Sequence, residues 1–182
     1  MQDTTTTGLH AGDDAESAPR SHLRAGLVAA LIVCAIDQVV KLWLIFVFDL
    51  GGKGFVSLAP ILDLVLVWNT GISYGLFQQE SDLGRWVLLG FKVAAVALLT
   101  IWLFRASSRL TAISLGLIIG GAVGNAIDRL AYGAVAEFVL FHVTTAAWQF
   151  RWYVFNVADA AIVAGVVGLL YDSLRGSAVK AP

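Results

Sequence analysis

Four apolar segments long enough to cross a lipid bilayer constrain this chain more than any single motif does. They run approximately from Ala25 to Phe48, Trp86 to Phe104, Leu110 to Ile127 and Trp152 to Tyr171. A helix needs about 20 apolar residues to span the hydrocarbon core. Its backbone polar groups must be satisfied internally there, which favours helices. The composition agrees: of 182 residues, 58% are hydrophobic and only 14% charged, against about 25% charged in a soluble domain. Mean hydropathy is +0.79. The expected fold class is an all-α integral membrane protein with four transmembrane helices and a small extracytoplasmic β-rich element after the first helix.

Three function classes are disfavoured at this level. A net charge of −1 leaves no basic face for nucleic acid. A lone cysteine, Cys34, offers no disulfide framework. The scattered His10, His22 and His142 form no zinc-protease pair, so no metal site is expected. Residues 1–23 lack a hydrophobic run and read as a disordered cytoplasmic tail. Residues 24–174 form the expected membrane domain, and residues 175–182 a second cytoplasmic tail.

Basic residues near the span ends set the expected orientation. Arg20, Arg24, Arg105, Arg109, Arg175 and Lys180 lie on one side; Lys53, Arg85, Arg129 and Arg151 lie on the other. This bias puts both termini in the cytoplasm and the longer connections, residues 49–85 and 128–151, on the extracytoplasmic side. In the first connection, Ile61-Leu62-Asp63-Leu64-Val65-Leu66-Val67-Trp68 reads as a strand followed by a turn. Such a strand could receive an extended peptide by edge pairing, or it could be a hydrophobic loop packed on helix ends.

Polar residues within or beside the spans carry the functional argument, because a membrane-embedded carboxylate is costly and needs a partner. Asp37 and Lys41 stand four apart, hence on one helix face. They read as a buried ion pair that orients helices. Gly120 to Arg129 closes the third span with small residues suited to close helix approach, followed by Asn125, Asp128 and Arg129. There Asp128 is expected to pair with Arg129 or with another span. Asn69-Thr70-Gly71-Ile72-Ser73-Tyr74 supplies an amide and a turn, but no Gly-x-Ser-x-Gly elbow supports serine catalysis. Asn156 and Asp159 share a face at the start of the fourth span, and Glu137 precedes that span. Two nearby carboxyls that share one proton can act as general acid and general base. The competing reading pairs Glu137 with Arg129 or Arg151 and leaves Asp159 as a helix-end residue.

Together these motifs resemble the lipoprotein signal peptidases (signal peptidase II), over roughly Leu27 to Leu170. The likeness rests on Asp37-Gln38-Val39-Val40-Lys41, Asn69 to Tyr74, Gly120 to Arg129, Val135-Ala136-Glu137-Phe138 and Phe155-Asn156-Val157-Ala158-Asp159, in that order. It implies an aspartic endopeptidase of the bacterial inner membrane, with no metal or organic cofactor. The enzyme would cut the signal peptide of a diacylglyceryl-modified prolipoprotein just before the lipidated cysteine, at the periplasmic side. It is expected to work as a monomer, with membrane lipid around it. Carried over by position, Asp159 is one catalytic acid. The other falls on Glu137, where the family has aspartate. Asp37, Lys41, Asn69, Gly71, Gly121, Asn125, Asp128, Arg129 and Asn156 would line or brace the site.

The glutamate adds one methylene, and misplacing a catalytic group by about an angstrom can cost about 10²-fold in rate. An inactive homologue that still binds precursors is therefore one alternative. A proton-coupled carrier is another, although it predicts carboxylates at several depths. A purely structural subunit leaves the convergent Asn and Asp residues without a purpose.

Overall fold

The computed structural model describes residues 14–70, 82–145 and 147–178. Helix α1 (Asp14–Leu42) continues through a π-helical turn, Trp43–Val47, and a single-turn helix α2 (Leu50–Lys53) follows. Strands β1 (Phe55–Ala59) and β2 (Leu62–Asn69) precede α3 (Asp82–Phe104) and α4 (Arg109–Tyr132). Strands β3 (Val135–Thr144) and β4 (Gln149–Arg151) then lead to α5 (Val157–Ala178).

Helix α4 is the centre of the bundle, packed between α1 and α5 with α3 alongside. Its small residues explain how the helices come so close. A methyl added at Gly120 would fall on the backbone of Ala30 in α1, and one at Gly121 on the carbonyl of Ala158 in α5. Outward faces remain apolar, with Leu31, Phe46, Phe104 and Leu174 well exposed. A helix bundle whose outward faces are apolar suits lipid rather than water.

Among the described residues, three helices are long and apolar enough to cross a membrane: His22–Val47, Arg109–Tyr132 and Val157–Arg175. In α3 the apolar stretch found among the described residues is Val93–Phe104. Among the described residues, three of the four expected spans are thus met in full.

The all-α expectation needs correction. A four-stranded antiparallel sheet, in the order β1-β2-β3-β4, is assembled from both long connections. Its second half was not anticipated, although Val135 to Thr144 is rich in β-branched and aromatic residues. Strand β2 is interior, with β1 along one edge and β3 along the other. Edge pairing of a peptide along its paired stretch is therefore ruled out. Leu44, Leu50 and Phe138 form a buried cluster, packed by Val40, Leu64, Val139 and Val157, that seats the sheet on the ends of α1 and α5.

Boundaries shift for physical reasons. Helix α1 starts at Asp14, within the segment expected to be a tail, and includes Pro19 in its second turn. Helix α4 runs past Ile127 to Tyr132 because Asp128 finds a cationic partner inside the protein. It stops at Gly133, whose φ of 74° and N–H bond to the Arg129 carbonyl turn the chain back into β3. Helix α5 starts at Val157 rather than Trp152, since the preceding residues add to the sheet instead. The Trp152 N–H donates to the Phe141 carbonyl (2.8 Å), and Phe155 bridges Val139.

Candidate active site

Lys41 is the hub of the polar interior. Its ammonium lies 2.7 Å from Asp37 Oδ2 and 2.8 Å from Asp128 Oδ2, and it donates to Asn125 Oδ1 at 3.1 Å. Asp37, Lys41 and Asp128 are at most 2% exposed, so these charges are withdrawn from solvent. Burial of that kind is tolerable only with good geometry and with the remaining lone pairs satisfied. They are satisfied here. Gln38 Nε2 donates to Asp128 Oδ1 (2.9 Å) and to the Gly124 carbonyl (3.1 Å). The Ala136 N–H donates to Asp128 Oδ2 (3.1 Å), and the Ala158 N–H to Asp37 Oδ1 (2.9 Å).

The expected i,i+4 pair of Asp37 and Lys41 is thus present, and it is extended to a third helix. Asp128 turns to Lys41, whereas Arg129 Nη1 donates to the Asn125 carbonyl (3.1 Å). Sequence reasoning gave Gln38 no role of its own. Its signal was available, since a polar residue inside an apolar span asks for a partner.

The start of α5 is built by reciprocal capping. The Asp159 N–H donates to Asn156 Oδ1 (2.9 Å), and the Asn156 N–H donates to Asp159 Oδ2 (3.1 Å). This is the capping-box arrangement, three residues apart. Asp37 takes the Ala158 N–H, so the first turn of α5 is tied to α1. Asn156, fully buried, also donates to Asn125 Oδ1 (3.0 Å) and to the Ala136 carbonyl (3.1 Å). Asp159 is therefore held in place by three elements at once.

Glu137 arrives from the sheet, opposite Val67 in the β2–β3 register. Asn69, at the end of β2, donates its amide to Glu137 Oε1 at 2.7 Å. On the other side, Asn125 Nδ2 donates to Asp159 Oδ1 at 2.9 Å. Each acid is thus gripped by an asparagine on a different element. Burial pushes the Glu137 carboxyl above the usual range, and the negative charge of Asp159 adds to that; the Asn69 hydrogen bond and the cations Arg129 and Lys41 act against it. A raised glutamate beside a second carboxylate can hold one proton between the two.

The structure brings Asp37, Lys41, Asn69, Asn125, Asp128, Arg129, Glu137, Asn156 and Asp159 to the sheet end of the bundle, with Gly121 at the α4–α5 contact one turn from Asn125. Gly71 and Ser73 lie outside the described residues. A separate pair, His142 Nε2 to Asp63 Oδ2 at 2.6 Å, lies in the sheet and was not anticipated. Among the described residues, no group of three or more His, Cys, Asp or Glu side chains could hold a metal ion.

With this geometry established, a family model for signal peptidase (SPase) II matches residues 29–175. The chain belongs to the signal peptidase II family. It is 62% identical over 161 residues to a lipoprotein signal peptidase of Nitrobacter hamburgensis, covering 88% of this chain and 98% of that protein. It is 60% identical over 159 residues to a lipoprotein signal peptidase of Methylorubrum extorquens, covering 87% and 90%. A solved bacterial membrane enzyme, determined by the in meso method at 2.3 Å resolution, superposes with a TM-score of 0.71 at 21% identity, covering 86% of this chain and 91% of that one. That likeness shows a shared membrane-enzyme fold. Signal peptidase II membership makes the chain an aspartic peptidase of the membrane.

Proposed function

We propose that Glu137 and Asp159 are the catalytic acids with which this enzyme removes signal peptides from prolipoproteins. One observation carries the reading. Two carboxyls from unrelated elements, a strand and a helix N-terminus, converge at the sheet end of an apolar bundle, each fixed by an asparagine amide. Glu137, with its carboxyl raised by burial, holds the shared proton. Asp159 takes a proton from water as the water oxygen attacks the scissile carbonyl carbon, and Glu137 gives its proton to the carbonyl oxygen. When the tetrahedral intermediate collapses, the C–N bond breaks, Asp159 gives its proton to the departing nitrogen, and a hydroxyl of the intermediate returns a proton to Glu137. The sum is one water consumed per bond cut.

The finer reading follows from the resemblance and the charge bias. The substrate is the diacylglyceryl-modified precursor, cut just before its lipidated cysteine. All four long helices span the inner membrane, both termini face the cytoplasm, and the site opens to the periplasmic side. The enzyme acts as a monomer surrounded by lipid. The 2.7 Å bond from Asn69 favours an active enzyme over an inactive homologue, because it holds the longer glutamate in a defined position.

A pH profile tests the assignment of the acid. A carboxyl raised by burial keeps its proton to higher pH than an ordinary glutamate, so the acid form is present below that raised value and is lost above it. Cleavage of a diacylated prolipoprotein in detergent is expected to fall on the alkaline side as Glu137 ionises. Glu137→Asp is expected to displace that limb. An alkaline limb identical in the two enzymes would assign the proton to another group.

A further inference from the structure

We infer that Lys41 is a positioning residue for Asp159, acting through the amide of Asn125. The inference rests on the reading of Asp159 as a catalytic acid. It begins with the fact that an asparagine amide can point either way, and only its neighbours decide which. Two groups donate to Asn125 Oδ1: Lys41 Nζ at 3.1 Å and Asn156 Nδ2 at 3.0 Å.

Neither can exchange roles. An ammonium has hydrogens and no acceptor, and the three hydrogens of Lys41 go to Asp37, Asp128 and Asn125. The Asn156 amide is fixed at both ends by backbone, because its Oδ1 accepts the Asp159 N–H and its Nδ2 also donates to the Ala136 carbonyl. Asn125 must therefore present Nδ2, a donor, to Asp159 Oδ1. An inverted amide would set its oxygen against the carboxylate.

The arrangement gives the buried ion cluster a task beyond cohesion. Lys41 on α1 thus acts on a carboxyl on α5 by locking a side chain on α4. Other charges facing Asp159 are Arg129 from α4 and Glu137 from β3, so a test must hold the local charge constant. The double substitution Lys41→Met with Asp128→Asn does so, removing one charge of each sign. A second variant, Asn125→Leu, is close in size, removes the donor and leaves the local charge unchanged.

Both variants, as full-length enzyme in detergent with a diacylglyceryl-modified prolipoprotein, are expected to lose about 10-fold to 10²-fold in kcat. KM is expected to stay near the wild-type value, and the acid-side limb of kcat to move to higher pH. A merely structural role would lower the amount of folded enzyme and leave the limb in place. Retention of the wild-type pH limb by either variant would overturn the inference. Asp159→Asn in the same assay separates the two claims: cleavage surviving that change refutes the reading of the dyad, whereas its loss with an unmoved limb in the other variants refutes only the role of Lys41.

Discussion

Asp159→Asn is expected to lower the rate of signal-peptide cleavage by about 10²–10⁴-fold, the range supplied by a positioned general acid or base. The substitution is nearly isosteric, so it keeps the packing while giving up the hydrogen bond from Asn125 Nδ2. An amide cannot take the proton of the attacking water. It can still accept the Asn156 N–H, which Asp159 Oδ2 now does at 3.1 Å, so the first turn of α5 stays capped. Single-turnover cleavage of a diacylated prolipoprotein, with unfolding followed on the same samples, separates the two effects. Near-wild-type cleavage would remove Asp159 from the chemistry.

The largest stability effect is expected at Asp37. Its side chain is 0% exposed and satisfies the Lys41 ammonium and the Ala158 N–H. Asp37→Ala leaves a buried cation short of one partner and strips the second N–H of α5 of its acceptor. Breaking a buried pair from one side is destabilising by about 3–5 kcal/mol. A denaturant midpoint in detergent is the measurement, with Asp37→Asn for comparison. The amide keeps an acceptor for the Ala158 N–H and is expected to lie between wild type and alanine. Equal stability of Asp37→Ala and wild type would mean that the Lys41 cluster does not hold α1, α4 and α5 together.

Much of this architecture was legible in the chain, and the reasons are specific. Apolar runs of bilayer length announced α1, α4 and α5, because lipid permits few alternatives to a helix. Asp37 and Lys41 announced their own pairing through i,i+4 spacing. The partners added by the fold were not legible. Nothing in the sequence says that Asp128 will choose Lys41 over its neighbour Arg129, since that depends on how closely Gly120 lets α4 approach α1. Strand β3 has strand-like composition, but composition alone does not tell a strand from a hydrophobic connection between spans. Its pairing with β2 is a contact between distant parts of the chain, set by the helices that bring the two loops to one end.

Glu137 shows the same division. Its sequence motif marked it as the unusual member of the pair, with one methylene more than the family's aspartate. What the sequence could not supply was its holder. Asn69 lies 68 residues earlier and meets Glu137 only through the β2–β3 ladder.

The most direct test of the dyad is the turnover of a diacylglyceryl-modified prolipoprotein by wild type, Glu137→Asp and Glu137→Gln at matched folded concentration. The account predicts cleavage by wild type and by Glu137→Asp, and a loss of about 10²-fold or more in Glu137→Gln, which has no proton to give. Cleavage by Glu137→Gln at the wild-type rate would contradict it.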